Sequence, residues 1–258
     1  MADFTDTSGN TLSNVSLVVG HRRIRFDGGR GASAPTITSS NNSVVEVTRT
    51  TLFSGPSGIF TVDISAKRAG TATITGTVRN GQSSAITIVV SARVSLPARN
   101  TTGGLVVRLL LNETMSPSNS SYNAVDAEKG MNWMVVVLNN RLNDPRSFGA
   151  PAGATIEQII KARNQFAGFQ NFPQLSASTI QHIQGVVNTA NDNNNSNQSA
   201  FQNHITFAIA IANAHQSPIA DPASPDELIG WRTSGHGSPG GSAVAFSVPL
   251  LGNQFFKR

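Results

Sequence analysis

At 258 residues the chain is long enough for two domains, each with its own core; 38% of it is hydrophobic and only 13% is charged. The absence of cysteine excludes a disulfide framework and any thiolate metal site. The net charge of +5 belongs to the first part, where residues 1–99 hold 10 Arg and Lys against 5 acids, while the remainder hold 9 of each.

The basic residues of that first part (Arg22, Arg23, Arg25, Arg30, Arg49, Arg68, Arg79, Arg93) are scattered and have no aromatics interleaved. That pattern shows no nucleic-acid-binding signature; it favours a solvated sheet face over attraction to an anionic wall or membrane surface. Met1-Ala-Asp-Phe-Thr-Asp6 has neither the basic start nor the apolar run of a secretory leader. No stretch approaches the roughly 20 apolar residues of a membrane helix.

From Val15 to Pro97 short alternating, β-branched segments recur: Val15–Val19, Arg23–Phe26, Val44–Thr48, Ile59–Ile64, Ala72–Val78 and Ala85–Ser91. Asp27-Gly-Gly, Gly55-Pro-Ser-Gly58 and Asn80-Gly81 punctuate them as turns. Six or seven strands at this spacing predict an all-β sandwich. Ala69-Gly-Thr-Ala-Thr-Ile74, the Val-rich run Ala85–Val90 and the upstream Ser39-Ser-Asn-Asn-Ser-Val-Val-Glu-Val47 resemble the bacterial immunoglobulin-like group 2 domain. The resemblance spans residues 12–95 and implies a spacer or adhesive module without catalysis.

Ser95–Gly104 reads as a connection, and after it the apolar period becomes helical. Helices are predicted over Leu105–Asn112 and Ala124–Leu142, with Trp133, Val136 and Val137 as a buried stripe. A third starts at Thr155, an N-cap followed by an acid and an amide. Ser178–Thr189 and Asn203–Asn213 complete the set. Asn188–Gln198, nearly all Asn, Ser and Gln, reads as a solvated loop too polar to bury. Gly230–Gly241 reads as a glycine-rich surface tail; it lacks the strand–loop–helix context of a phosphate cradle, so nucleotide binding is excluded.

The chemistry points to Glu113, a lone carboxylate ending the apolar run Leu105–Leu111. Held against Leu109, Leu110 and Leu111, its ionised form loses solvation, the condition that suits a general acid. A glycosidase also uses a second carboxylate about 5–9 Å away, and Asp126 and Glu128 are the nearest candidates in sequence. Both open the second helix, whose positive dipole end favours their ionised forms. Cleavage assisted by a substrate N-acetyl group needs neither. His182, His204, His215 and His236 show no His-Glu-x-x-His spacing, and no Gly-x-Ser-x-Gly elbow occurs, so zinc and serine-triad hydrolysis find no support. No metal or other cofactor is implied.

Leu111-Asn-Glu113, Met134-Val-Val-Val-Leu-Asn-Asn-Arg141, Asn164-Gln-Phe-Ala-Gly-Phe169 and the late Asp221-Pro-Ala-Ser-Pro225 resemble bacterial cell wall hydrolases of the spore-cortex-lytic type, within the lysozyme-like and lytic transglycosylase superfamily. The chain departs from them in an extra Asn at 139–140, a longer loop after Glu113 and the Asn-rich insertion. The resemblance implies that Glu113 protonates the leaving oxygen of a β-1,4 bond between amino sugars. Around it, Thr114, Tyr122, Gln165, Phe169 and His236 are candidate sugar contacts, with Phe166 beside them and core packing favoured for both phenylalanines.

The expectation is therefore an all-β immunoglobulin-like sandwich over residues 1–97, a linker over 98–103, and a mainly α lysozyme-like hydrolase over 104–258. It acts on peptidoglycan as a muramidase or lytic transglycosylase. Without a leader, delivery to the periplasm or outside by a secretion machine or phage particle is expected, with an immunity protein in the producing cell. The alternative is a non-catalytic wall-binding component of a phage or secretion tail.

Overall fold

The computed structural model describes residues 2–54, 57–215, 217, 219–238 and 242–258. Part of the predicted turn at 55–58 and the end of the glycine-rich tail therefore lie outside the described residues. Two compact units emerge: Met1–Val94 with Asn191–Gln198, and Ser95–Ala190 with Ser199–Arg258.

The first unit carries two four-stranded sheets. One has the order β1 (Asp3–Thr5), β3 (Gly20–Asp27), β6 (Ile59–Ala66), β5 (Val45–Ser54), all antiparallel. The other runs β2 (Asn14–Val18), β8 (Ser83–Ser91), β7 (Gly70–Thr77), β4 (Thr36–Ser39), with β2 parallel to β8. Strand β6 alternates buried and half-buried residues along its whole length, the period-2 signature of one face turned to a core. Phe26, Val62 and Ile64 from the first sheet join Leu17, Ile74 and Ile88 from the second in one apolar cluster. Gly76 is required there, because a Cβ would stand 2.3 Å from the Phe26 ring.

The Asn-rich segment is not a solvated loop. Asn193 is 1% exposed, and its amide accepts from Val18 N at 2.9 Å and donates to Val18 O at 2.8 Å. Asn191 makes the same two-way pair with Val94, at 2.8 and 2.9 Å. A primary amide offers a donor and an acceptor side by side, so it can satisfy the edge strand β2 as a neighbouring strand would. Gln198 donates to the Asn193 oxygen, and Arg22 Nη1 donates to the Asn193 carbonyl. Asn193→Leu leaves two buried backbone groups bare and is expected to cost about 3 kcal/mol. Asn197→Ala, on an exposed side chain of the same segment, should stay within about 0.5 kcal/mol. Urea unfolding followed by circular dichroism compares the two, and equal midpoints would refute the assignment.

The second unit holds α1 (Thr102–Glu113), α2 (Ala124–Asn143), α3 (Ile156–Lys161), α4 (Ala177–Ala190) and, from its second residue onward, α5 (Gln198–Asn213). Thr101 caps α1 by accepting from Gly104 N, and Thr155 and Gln158 form a reciprocal capping box on α3. Residues read as linker are pinned: Arg108 of α1 donates to the carbonyls of Pro97 and Gly104. A Cβ on Gly104 would lie 1.9 Å from the Ala98 oxygen, so the segment before α1 crosses the helix at contact distance. Trp133, Val136 and Val137 of α2 are buried. No helix is long and apolar enough to cross a membrane among the described residues.

The second unit also contains an antiparallel sheet, β10 (Val244–Leu250), β11 (Asn253–Lys257), β9 (Leu228–Thr233) in that order. Strand β9 packs against α2, and Trp133 meets the rings of Phe246 and Phe255 edge-on at 5.3 and 5.1 Å. The expected fold, an immunoglobulin-like sandwich followed by a mainly α lysozyme-like domain, is thereby corrected. Helix and strand contribute comparable shares, in three separate sheets. Of the stretch read as a surface tail, residues 230–233 belong to β9, which is anchored by the buried Leu228 and pairs with β11, where Phe255 and Phe256 are buried.

Candidate active site

Glu113 is the last residue of α1 and half-buried. Leu109, Leu110 and Leu111 are fully buried, yet they do not supply its hydrogen-bonding surroundings. The carboxylate oxygens accept from Asn112 Nδ2 at 3.0 Å and from Trp231 Nε1 at 3.3 Å. Its main-chain carbonyl accepts from Asn253 Nδ2 at 2.8 Å, tying the helix end to β11. The expected apolar seat is thus replaced by a polar one built from the sheet β9–β11.

Trp231, the hydrogen-bond partner of Glu113, also lines a cleft of about 470 Å³ with Arg141, Gln165, Arg232 and Arg258, and Glu113 itself is not among the lining residues. The Trp231 ring packs on Phe166 at 5.2 Å. Arg141, at the end of α2, donates through Nε to Ile229 O at 2.9 Å and through Nη1 to Gln165 Oε1 at 2.8 Å. Burial pushes its pKa down to about 10, which leaves it cationic at neutral pH. Gly230 keeps space for it, since a Cβ there would sit 3.2 Å from Nη2.

The other candidates fall in different places. Gln165 lines the cleft. Thr114 is buried and donates to Met134 Sδ at 3.8 Å, while Phe169 is wholly buried and therefore a core residue. Tyr122 pairs its hydroxyl with His204 Nδ1 at 3.2 Å, and burial pushes its pKa up. His236 is exposed in the turn after β9 and is not among the lining residues. Asp126 and Glu128 lie in the first turns of α2, half-buried and exposed respectively, and no hydrogen bond links either to Glu113 among the described residues.

Trp231, Arg141 and Arg232 were not singled out as site residues by sequence reasoning. The signal for Trp231 was the alternation in Leu228-Ile-Gly-Trp-Arg-Thr233, which matches a half-buried strand. Asn140 carried a similar signal: its Nδ2 donates to Asp221 Oδ2 at 2.6 Å and to Leu228 O at 2.9 Å, fixing the start of β9 on α2.

No family model matches the chain, and no curated protein does. Among solved structures, domains 1–6 of the surface layer protein SbsC align at 15% identity over 37% of this chain and 13% of that one, with a TM-score of 0.31. A Bacteroides ovatus GH5 xyloglucanase, in complex with a XXXG heptasaccharide, aligns at 13% identity over 79% and 50%, with a TM-score of 0.27. A polysaccharide lyase aligns at 10% identity over 83% and 34%, also at 0.27. The chain spans half or less of the length of each. At such TM-scores none of these likenesses carries a fold assignment. The resemblances to spore-cortex-lytic cell wall hydrolases and to the immunoglobulin-like group 2 domain are corrected. No model of either family matches the chain.

Proposed function

We propose that the second unit cleaves the glycan strands of peptidoglycan, with Glu113 as general acid. The observation that carries this reading is the Trp231–Glu113 pair: a carboxyl group hydrogen-bonded to an indole that lines a cleft. An indole face covers the apolar face of a pyranose, which would set the neighbouring glycosidic oxygen near an acid. The Glu113 proton passes to the leaving oxygen, the C1–O bond breaks, and the carboxylate that remains takes a proton from the incoming hydroxyl. The group that stabilises C1 is either the N-acetyl oxygen of the substrate or a second carboxylate about 5–9 Å away. An enzyme of this kind acts outside the cytoplasm, as a secreted antibacterial effector or phage lysin, and its producer needs an immunity protein.

Mass spectrometry of muropeptides released from purified walls tests the reading. Anhydro ends identify transglycosylation, and reducing ends identify hydrolysis. Freed stem peptides would assign the wrong bond, and glycan binding with no released fragments would make the unit a wall clamp.

A further inference from the structure

We propose that the cleft beside Glu113 is an anion subsite in which Arg141, with Arg232 at its rim, takes a carboxylate carried by the substrate. The inference rests on the glycan-cleaving reading and narrows it to acidic glycans.

Arg141 is 8% exposed, yet the groups that its guanidinium bonds or stacks on among the described residues are neutral. Two of its five N–H donors go to the Ile229 carbonyl and the Gln165 amide oxygen. Its flat face lies over Phe148 at 4.6 Å and Phe166 at 5.3 Å. No carboxylate pairs with it among the described residues. Withdrawing a cation from water without a counter-charge is costly; Arg108 offsets that cost with backbone carbonyls inside the fold, whereas Arg141 lines a cleft that a charged group can enter.

The third arginine of the cleft shows the contrast. Arg258 is neutralised by Asp144 at 3.2 Å and Glu227 at 3.5 Å. Among the described residues Arg232 has no such partner, and its Nη1 donates to the Gly237 carbonyl at 3.4 Å. Among the described residues the lining holds three arginines and no acid. Asn164 and Gln165 add amides, and Ser147 and Ser242 add hydroxyls. Two uncompensated guanidinium groups facing one cavity match the bidentate geometry of a carboxylate. In peptidoglycan that carboxylate comes from a stem peptide or, on peptide-stripped strands, from the lactyl group of the amino sugar.

Calorimetric titration of the full chain bearing Glu113→Gln, so that no probe is turned over, decides the point. Three tetrasaccharide probes are compared: peptide-stripped glycan, the same glycan with stem peptides, and neutral chitotetraose. At least one carboxylated probe is expected to bind about tenfold tighter than chitotetraose or better, and the tighter of the two names the source. The advantage should shrink with added salt and in Arg232→Gln, an exposed substitution with no burden on folding. Arg141→Lys, checked for folding by circular dichroism, keeps the charge but loses the fork and should lose most of the preference. Equal affinity for charged and neutral probes, or no binding of the charged ones, overturns the subsite. Wall clearing by the wild-type chain, measured in parallel, keeps the two readings apart. Clearing without carboxylate preference sinks only the subsite, and preference without clearing sinks only the cleavage.

Discussion

Glu113→Gln is expected to slow the clearing of purified walls by about 10²–10⁴-fold, the range that a positioned general acid contributes. The substitution is close to isosteric. A glutamine Oε1 can still accept from Trp231 Nε1, the bond that spans 3.3 Å in the wild type. Half-buried at a helix end, the side chain contributes little to the core, so the thermal midpoint should hardly move. Loss of clearing with unchanged folding therefore isolates the proton donor, and equal clearing by both proteins removes Glu113 from the chemistry. Asp126→Asn and Glu128→Gln assign the second group by the same assay. A comparable fall in either makes that carboxylate the partner in a two-carboxylate scheme. Rates near wild type in both, together with anhydro products, leave the N-acetyl group as stabiliser.

The polar seat of Glu113 also shows where sequence reading succeeds and where it stops. Strand β6 declares itself through a period of two with one face turned to a core, and helix α2 through a long apolar run whose residues 133–138 are buried on every side. Thr155 and Gln158 do the same through capping chemistry, with the reciprocal bonds at 2.9 and 3.3 Å. The carboxylate's environment is not a local property. Leu109 and Leu110 precede Glu113 at helical spacing, which suggests a shared apolar face, but the helix ends there and β9 and β11 supply its neighbours. Those strands escaped notice because Gly, Ser and Pro dominate the stretch between Trp231 and Ala243, masking short alternation on either side.

Asn193 escaped for a different reason. Composition treats asparagine as a residue that prefers water, and for an unpaired amide that holds. Its two-way bond with Val18 removes the penalty, and the unpaired edge of β2, 175 residues away in sequence, decides the outcome. Arg141 is the same lesson with a charge. It was legible as the end of an apolar helix, while its lack of a carboxylate partner is visible only once Ile229, Gln165 and Phe148 surround it.

Acid should loosen the second unit through His204. The side chain is fully buried in α5, with Nδ1 at 3.2 Å from the Tyr122 hydroxyl and Nε2 without a partner. Protonation would leave an N–H on Nε2 with no acceptor. Burial first, and the charge of His182 second, push the pKa from 6.5 down to about 4. Below pH 6.5 the unfolded chain takes up a proton that the folded chain refuses until about pH 4. The stabilisation is therefore complete above 6.5 and is lost as the pH falls from there toward 4, by about 3 kcal/mol over the window. Urea midpoints measured from pH 7 to pH 4 should decline in the wild type, and the decline should be much shallower in His204→Gln, which has no proton to gain. Parallel declines would rule His204 out as the acid-sensitive group. Because Tyr122 follows Glu113 in the segment leading to α2, and His182 Nε2 lies 3.2 Å from the Leu111 carbonyl near the end of α1, wall clearing should fall over the same pH range.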